Sequence, residues 1–208
     1  MNPPSALQPI LEHIGISVAA ITGVLAARGK RIDLFGVLVL ALVTAYGGGT
    51  VRDLLVGDLP PVWLRSSDYL LNATVTALIT FFVIRLRSLP ERVLVVADAF
   101  ALALFTMIGV RKGVTLEFAS SVAIMLGIIT GVAGGILRDV LIGEVPLVFR
   151  REIHLYATAA LGGAVLYIGL HAIGVREIVA TTAGMILTLA LRLAGIRWKL
   201  GLPLLEAR

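Results

Sequence analysis

The chain has 208 residues, 58% of them hydrophobic and 15% charged, with a mean hydropathy of +0.98. Soluble domains carry about 25% charged residues, so this composition excludes a soluble fold and leaves room for about seven membrane spans and little else. The net charge of +5 does not point to nucleic acid, because Lys and Arg fall mostly in short loops between apolar runs; the absence of cysteine excludes disulfides, thiolate metal sites and cysteine nucleophiles.

In chain order the apolar runs give seven spans: Leu7–Ala27, Leu34–Val56, Asp68–Ile84, Val93–Val110, Phe118–Ile142, Ile153–Ala172 and Val175–Leu193. The first is not read as a signal peptide. Its leading stretch MNPPSALQP lacks Lys and Arg, and Glu12-His13 interrupts the apolar region. The third and fourth runs are short, and the seventh ends at Arg192, expected to snorkel to the interface. Apart from Arg52 and Arg138, one side collects 4 basic residues (Arg65, Arg111, Lys112, Arg176) and the other 12, from Arg28 to Arg208 and including Arg192. The positive-inside rule then places the N-terminus outside and the C-terminus in the cytoplasm.

The stretch GGGTVRDLLVGDLP (residues 47–60) returns as AGGILRDVLIGEVP (residues 133–146), with 7 of 14 positions identical at an offset of 86. At the same offset Glu12 falls on Asp98, Gly23 on Gly109, Trp63 on Phe149 and Arg65 on Arg151. The match covers three spans, an odd number, so the second copy enters the membrane from the opposite side. The expected architecture is an all-α membrane protein of two inverted three-helix repeats, about 7–84 and 93–172, plus an extra helix at 175–193 in a single domain.

Glycine costs about 1 kcal/mol in a helix interior relative to alanine. Gly47, Gly48 and Gly49 should therefore kink the second helix, and Gly131 with Gly134 and Gly135 the fifth. The alternative is close packing alone, since Gly127, Gly131 and Gly135 share one helix face. Arg52-Asp53 and Arg138-Asp139 lie inside these spans, where a charge costs about 2.5–3.5 kcal/mol on insertion scales unless it faces protein or water. Adjacent residues project about 100° apart, so each arginine is expected to seek an acid on another helix: Glu12 for Arg52, Asp98 for Arg138. That would leave Asp53 and Asp139 freer to meet a cation. A polar network that only holds the fold is the competing reading. Gly57-Asp58-x-Pro60 and Gly143-Glu144-x-Pro146 read as helix stops, with Trp63 and Phe149 as interface anchors. His13, His154 and His171 are scattered without metal spacing, and neither a P-loop nor GxSxG is present. No enzyme, cofactor or metal site is expected.

The doubled GG-x-x-RD motif, the acids near the start of the first and fourth spans, and the seven-span layout resemble the prokaryotic trimeric intracellular cation (TRIC) channels, a family also labelled as glycine-transporter-type. The resemblance implies a homotrimer with a hydrophilic pathway in each subunit, conducting K⁺ and less selectively Na⁺. It implies that Gly47–Gly49 and Gly134–Gly135 kink the helices around that pathway, with Arg52, Asp53, Arg138 and Asp139 lining or gating it. The partners implied are membrane lipids, permeant cations and other copies of the chain, in a prokaryotic plasma membrane. The animal members' Lys-Glu-Val lipid motif has no match in Val110-Arg111-Lys112-Gly113, so phosphoinositide regulation is not expected. Physical reasoning alone also admits a secondary transporter for glycine or another small solute.

Overall fold

A computed structural model describes residues 7–87, 90, 92–150 and 155–198. Arg151, Ile153, His154, Lys199 and Arg208, which enter the expectations above, lie outside these residues. The described residues are all-helical: α1 (Leu7–Ala26), α2 (Leu34–Val56), the one-turn α3 (Val62–Arg65), α4 (Ser67–Leu86), α5 (Arg92–Thr115), α6 (Ser120–Leu141), a 3-10 turn (Leu147–Phe149), α7 (Tyr156–Ala172) and α8 (Glu177–Trp198). Six helices are long and apolar enough to cross a membrane, and the described part of α7 is shorter, at 17 residues.

The third and fourth spans prove longer than their apolar cores. Helix α5 has 24 residues and carries Arg111, Lys112 and Gly113 within its last turns. The charges are tolerated there because Arg111 pairs with Glu177 and Lys112 with Asp58. The seventh span also continues, so that Arg192 is internal to α8 and fully buried instead of snorkelling. Its guanidinium lies 4.5 Å from the centroid of the Tyr156 ring, an aromatic face that substitutes for water.

Four helices form the centre. Helix α1 packs on α2 and α5, and α6 packs on α5 and α2, while α4 leans on α1 and α2 and α7 on α5 and α6. Helix α8 covers α5 and α7. The closest approach of a glycine to another helix's backbone, among the described residues, is at the crossing of α2 with α6. A Cβ at Gly48 would lie 2.1 Å from the Thr130 carbonyl oxygen, and one at Gly134 would lie 2.6 Å from that of Thr44. These two contacts are equivalent at the 86-residue offset (44 to 130, 48 to 134). They also run in opposite order along the two helices, so α2 and α6 are antiparallel. The same offset relates Gly23, packed on the Ala41 backbone, to Gly109, packed on that of Gly127. Both α2 and α6 continue as helices through their glycines. Close packing therefore accounts for Gly48 and Gly134.

Each of these helices ends the same way. Gly57 (φ 70°) and Gly143 (φ 71°) adopt the left-handed conformation. The next amide reaches back five residues, Asp58 N to Asp53 O and Glu144 N to Asp139 O, both at 2.9 Å, in the Schellman pattern. The turn then feeds α3 in one half and the 3-10 turn in the other.

Gly48→Ala is expected to destabilise the protein by about 1–3 kcal/mol, because its methyl meets a backbone carbonyl that cannot move independently. Gly49→Ala, whose nearest neighbour is the Arg52 side chain at 3.9 Å, should be neutral or slightly stabilising. Thermal unfolding of the detergent-solubilised variants, compared side by side, checks this contrast.

Candidate functional site

The two motifs build two equivalent charge clusters. In the first, Arg52 Nε donates to Asp53 Oδ1 at 2.8 Å, and Nη2 lies 3.9 Å from Glu12 Oε1. In the second, Arg138 Nε donates to Asp139 Oδ1 at 2.8 Å, and Nη1 donates to Asp98 Oδ1 at 2.9 Å. All six residues are buried. The interhelical contacts Glu12–Arg52 and Asp98–Arg138 are thus present, the second much the tighter.

The expectation that Asp53 and Asp139 stand free is corrected. Each carboxylate is fully engaged, with Oδ1 on the neighbouring arginine and Oδ2 on the backbone of the returning chain. Val62 N donates to Asp53 Oδ2 at 3.0 Å, and Leu147 N to Asp139 Oδ2 at 2.8 Å. The 100° argument fails because it concerns Cβ directions. An arginine stem is long enough to carry Nε across that arc to the short aspartate beside it, leaving its outer nitrogens for a second acid. The aspartate consequently ties the arginine to the first residue of α3 or of the 3-10 turn.

Two small clefts, of about 10 and 30 Å³, lie beside the clusters. One is lined by Glu12, Ile16, Ala45, Gly49 and Arg52. The other is lined by Asp98, Leu102, Gly131, Gly135 and Arg138, the same five positions shifted by 86. Gly47 belongs to neither lining and packs against the Leu137 side chain of α6. At Gly135 the absence of a side chain leaves space in the second cleft: the Tyr156 hydroxyl and Asp98 Oδ1 stand 3.4 and 3.6 Å from where its Cβ would be. Arg138 Nη2 is buried there without a hydrogen bond among the described residues, a donor that suits a water molecule or a passing polar group.

The surroundings differ between the halves. Glu12 is held by Gln8 Nε2 at 2.9 Å and by the Tyr69 hydroxyl at 3.2 Å. His13 stacks on Tyr69 at 4.6 Å, and Asn72 donates to the His13 carbonyl at 2.9 Å. Trp63, expected as an interface anchor, instead stacks on Tyr46 at 4.9 Å and donates Nε1 to Thr50. Phe149, its counterpart, is exposed. His171 stacks on Tyr167 at a centroid distance of 5.9 Å.

Sequence reasoning missed a second layer of charges just beyond the ends of α2 and α6. Asp58 accepts hydrogen bonds from Lys112 and Arg65, and Glu144 accepts them from Lys30 and Arg150. Asp58 and Glu144 are repeat equivalents, and each meets a lysine from the opposite repeat. The offset pairs the two acids, but nothing in the repeat pairs the lysines, because Lys30 and Lys112 are not equivalent positions.

A family model described as Glycine transporter matches this chain twice, over residues 9–85 and 95–172. The UPF0126 inner membrane protein YadS of Escherichia coli is 46% identical over 195 residues, covering 93% of each chain. A UPF0126 membrane protein of Vibrio cholerae is 40% identical over 200 residues, 96% of this chain and 83% of the other. Among solved structures, the TRIC trimeric intracellular cation channel orthologue from Rhodobacter sphaeroides matches with a TM-score of 0.88 and 36% identity over 94% of this chain and 100% of that one. A second TRIC cation channel structure, solved to explain conductance, gives a TM-score of 0.85 at 36% identity over 96% and 98%.

Asp98→Asn should cost roughly 3–5 kcal/mol, because it leaves the Arg138 charge buried with less compensation. Glu12→Gln, across a 3.9 Å gap, should cost clearly less. Chemical unfolding in one detergent measures both.

The carboxyls of Asp58 and Glu144 give a pH dependence. Asp58 is held below the usual carboxylate range chiefly by its hydrogen bond from Lys112, and Glu144 chiefly by that from Lys30. A folded-state pKa depressed in this way contributes stability above the unfolded value, about 4, which is lost as pH falls further. The melting temperature should therefore drop on acidification below about pH 4. Asp58→Asn combined with Glu144→Gln should flatten that limb.

Proposed function

The chain belongs to the prokaryotic TRIC channel family, and from that premise we propose that it is a monovalent cation channel passing K⁺ and less selectively Na⁺. The observation that carries the reading is a charge count. Each buried arginine faces two carboxylates, Asp53 and Glu12 in one cluster, Asp139 and Asp98 in the other. With all groups ionised, each of these three-residue clusters carries one positive and two negative charges, a net of −1; Arg192, buried over Tyr156, adds a positive charge near the second, so the excess of acid is clearest at the first. Arginine alone would favour anions; an arginine outnumbered by acids in a low-dielectric wall favours cations.

In this reading the conducting route runs through each subunit, from the Glu12–Arg52 cleft past the α2–α6 crossing to the Asp98–Arg138 cleft. The repeats at about 7–84 and 93–172 act as opposed copies in one transmembrane domain, with α7 as the sixth span and α8 as the seventh. The glycines at 47–49 and 134–135 let α2 and α6 bend when the route widens. The functional unit is a homotrimer in a lipid bilayer, with the N-terminus outside and the C-terminus in the cytoplasm. The trimeric, channel-forming Rhodobacter sphaeroides relative supports this reading over a secondary transporter for glycine or another small solute.

Planar-bilayer recording in a K⁺ gradient should give unitary currents reversing near the K⁺ potential. Reversal at the Cl⁻ potential would overturn the cation assignment, and saturable, gradient-coupled uptake without unitary currents would transfer the chain to the transporter class. Asp53→Ala and Asp139→Ala should reduce or alter the conductance, with cross-linked trimers still formed.

A further inference from the structure

One side chain lines both clefts. Phe105 of α5 borders the Glu12–Arg52 cleft and the Asp98–Arg138 cleft alike. It is buried, 8% exposed. Its ring lies over Gly15 of α1, with Cζ 3.3 Å from where a Cβ would stand there. Unlike the charged residues, it has no twin: the position 86 residues earlier is Ala19. Ala19 lines only the Asp98–Arg138 cleft. A route between opposed copies would carry two such rings or none if the symmetry were complete; this chain keeps one.

The chemistry of the neighbours makes that ring consequential. On either side of it stand an arginine and an acid able to replace part of an ion's hydration. The ring itself offers no oxygen, and moving a charge past apolar surface without compensation is costly. Apolar constrictions of this type stop ions by excluding water before they are sterically closed. The absence of a side chain at Gly15 leaves the ring only the α1 backbone to press on, so a rotation of the ring meets no interlocking side chain at that position.

Resting on the reading of the chain as a cation channel, we propose that Phe105 is the apolar partition of its pathway, separating the water of one cleft from that of the other. Ions cross when the ring turns aside. The two charge clusters attract and hold the ion on each side, and Phe105 sets how often the two sides communicate.

The chain contains no cysteine, so single cysteines can report each cleft without a background. Ala45→Cys marks the first cleft and Ala101→Cys the second. The probe is Ag⁺, a thiol-reactive monovalent cation, applied in nitrate solution to one face of proteoliposomes. Reaction is read as protection from later maleimide labelling in denaturant. With Phe105 present, Ala45→Cys should react several-fold faster from one face and Ala101→Cys several-fold faster from the other. Adding Phe105→Ala should abolish that sidedness and raise K⁺ current several-fold, while Phe105→Trp should lower the current. Phe105→Leu, closer in volume, should give a smaller change and carries the test if the alanine variant does not assemble. Both cysteines reacting from the same face with Phe105 intact would overturn the partition. So would unchanged sidedness in Phe105→Ala. If sidedness behaves as expected but the protein passes no cation current, the partition stands and the channel reading falls.

Discussion

The rest of this structure depends on how closely α2 and α6 approach. Lipid supplies little hydrophobic drive between helices, so their association rests on packing and polar contacts. Here it rests on two glycines, each set against the carbonyl of a threonine on the other helix, Gly48 on Thr130 and Gly134 on Thr44. Because the contact is made backbone to backbone, the helices meet with no side-chain layer between them. The clusters then fall four residues beyond each glycine, Arg52 after Gly48 and Arg138 after Gly134, at opposite ends of the antiparallel crossing. A larger residue at either glycine would separate the helices and displace both clusters together.

Burial of the arginines imposes the second constraint. A guanidinium withdrawn from water needs several acceptors, and the chain supplies them from three sources: the same helix, a neighbouring helix and, through the aspartate, the turn that follows. Asp53 and Asp139 work as junctions, each receiving one bond from an arginine and one from the backbone of the next element. The Schellman turns at Gly57 and Gly143 aim the chain back so that this second bond can form. Outside them, Asp58 and Glu144 fasten each turn to a lysine from the other repeat. The two halves are thus joined by ion pairs at these helix ends as well as by backbone packing at the central crossing.

Much of the helical fold was legible from the sequence because hydropathy and the 86-residue echo report on backbone needs that lipid makes absolute. The helix stops were legible for the same reason, since glycine before an acid and proline leaves few conformations. The acids facing Arg52 and Arg138 were found by depth alone. Side-chain reach was not legible: whether an arginine bonds its neighbour depends on rotamers, and Asp53 and Asp139 were misjudged for that reason. Arg192 was misread because a charge near the end of an apolar run looks interfacial until the helix is seen to continue to Trp198. A charge inside a span faces protein by preference, and Tyr156 is its partner. Phe105 gave no signal at all, being one apolar residue among many, conspicuous only once the clefts are placed on either side of it.

The duplication is incomplete in the surroundings of the clusters. His13, Tyr69 and Asn72 support one half, with Ala99, Leu155 and Thr158 at the equivalent positions of the other. Tyr156 of α7 supports the second half together with Arg192 of α8, a helix that belongs to neither repeat. In a conductor made from opposed copies, an ion arriving from either side would meet the same groups in the same order, and current would be independent of direction. Any rectification must therefore come from unmatched residues such as these and Phe105. Joining the two copies in one chain is what allows them to diverge separately, so that direction becomes a property evolution can adjust by changing one half.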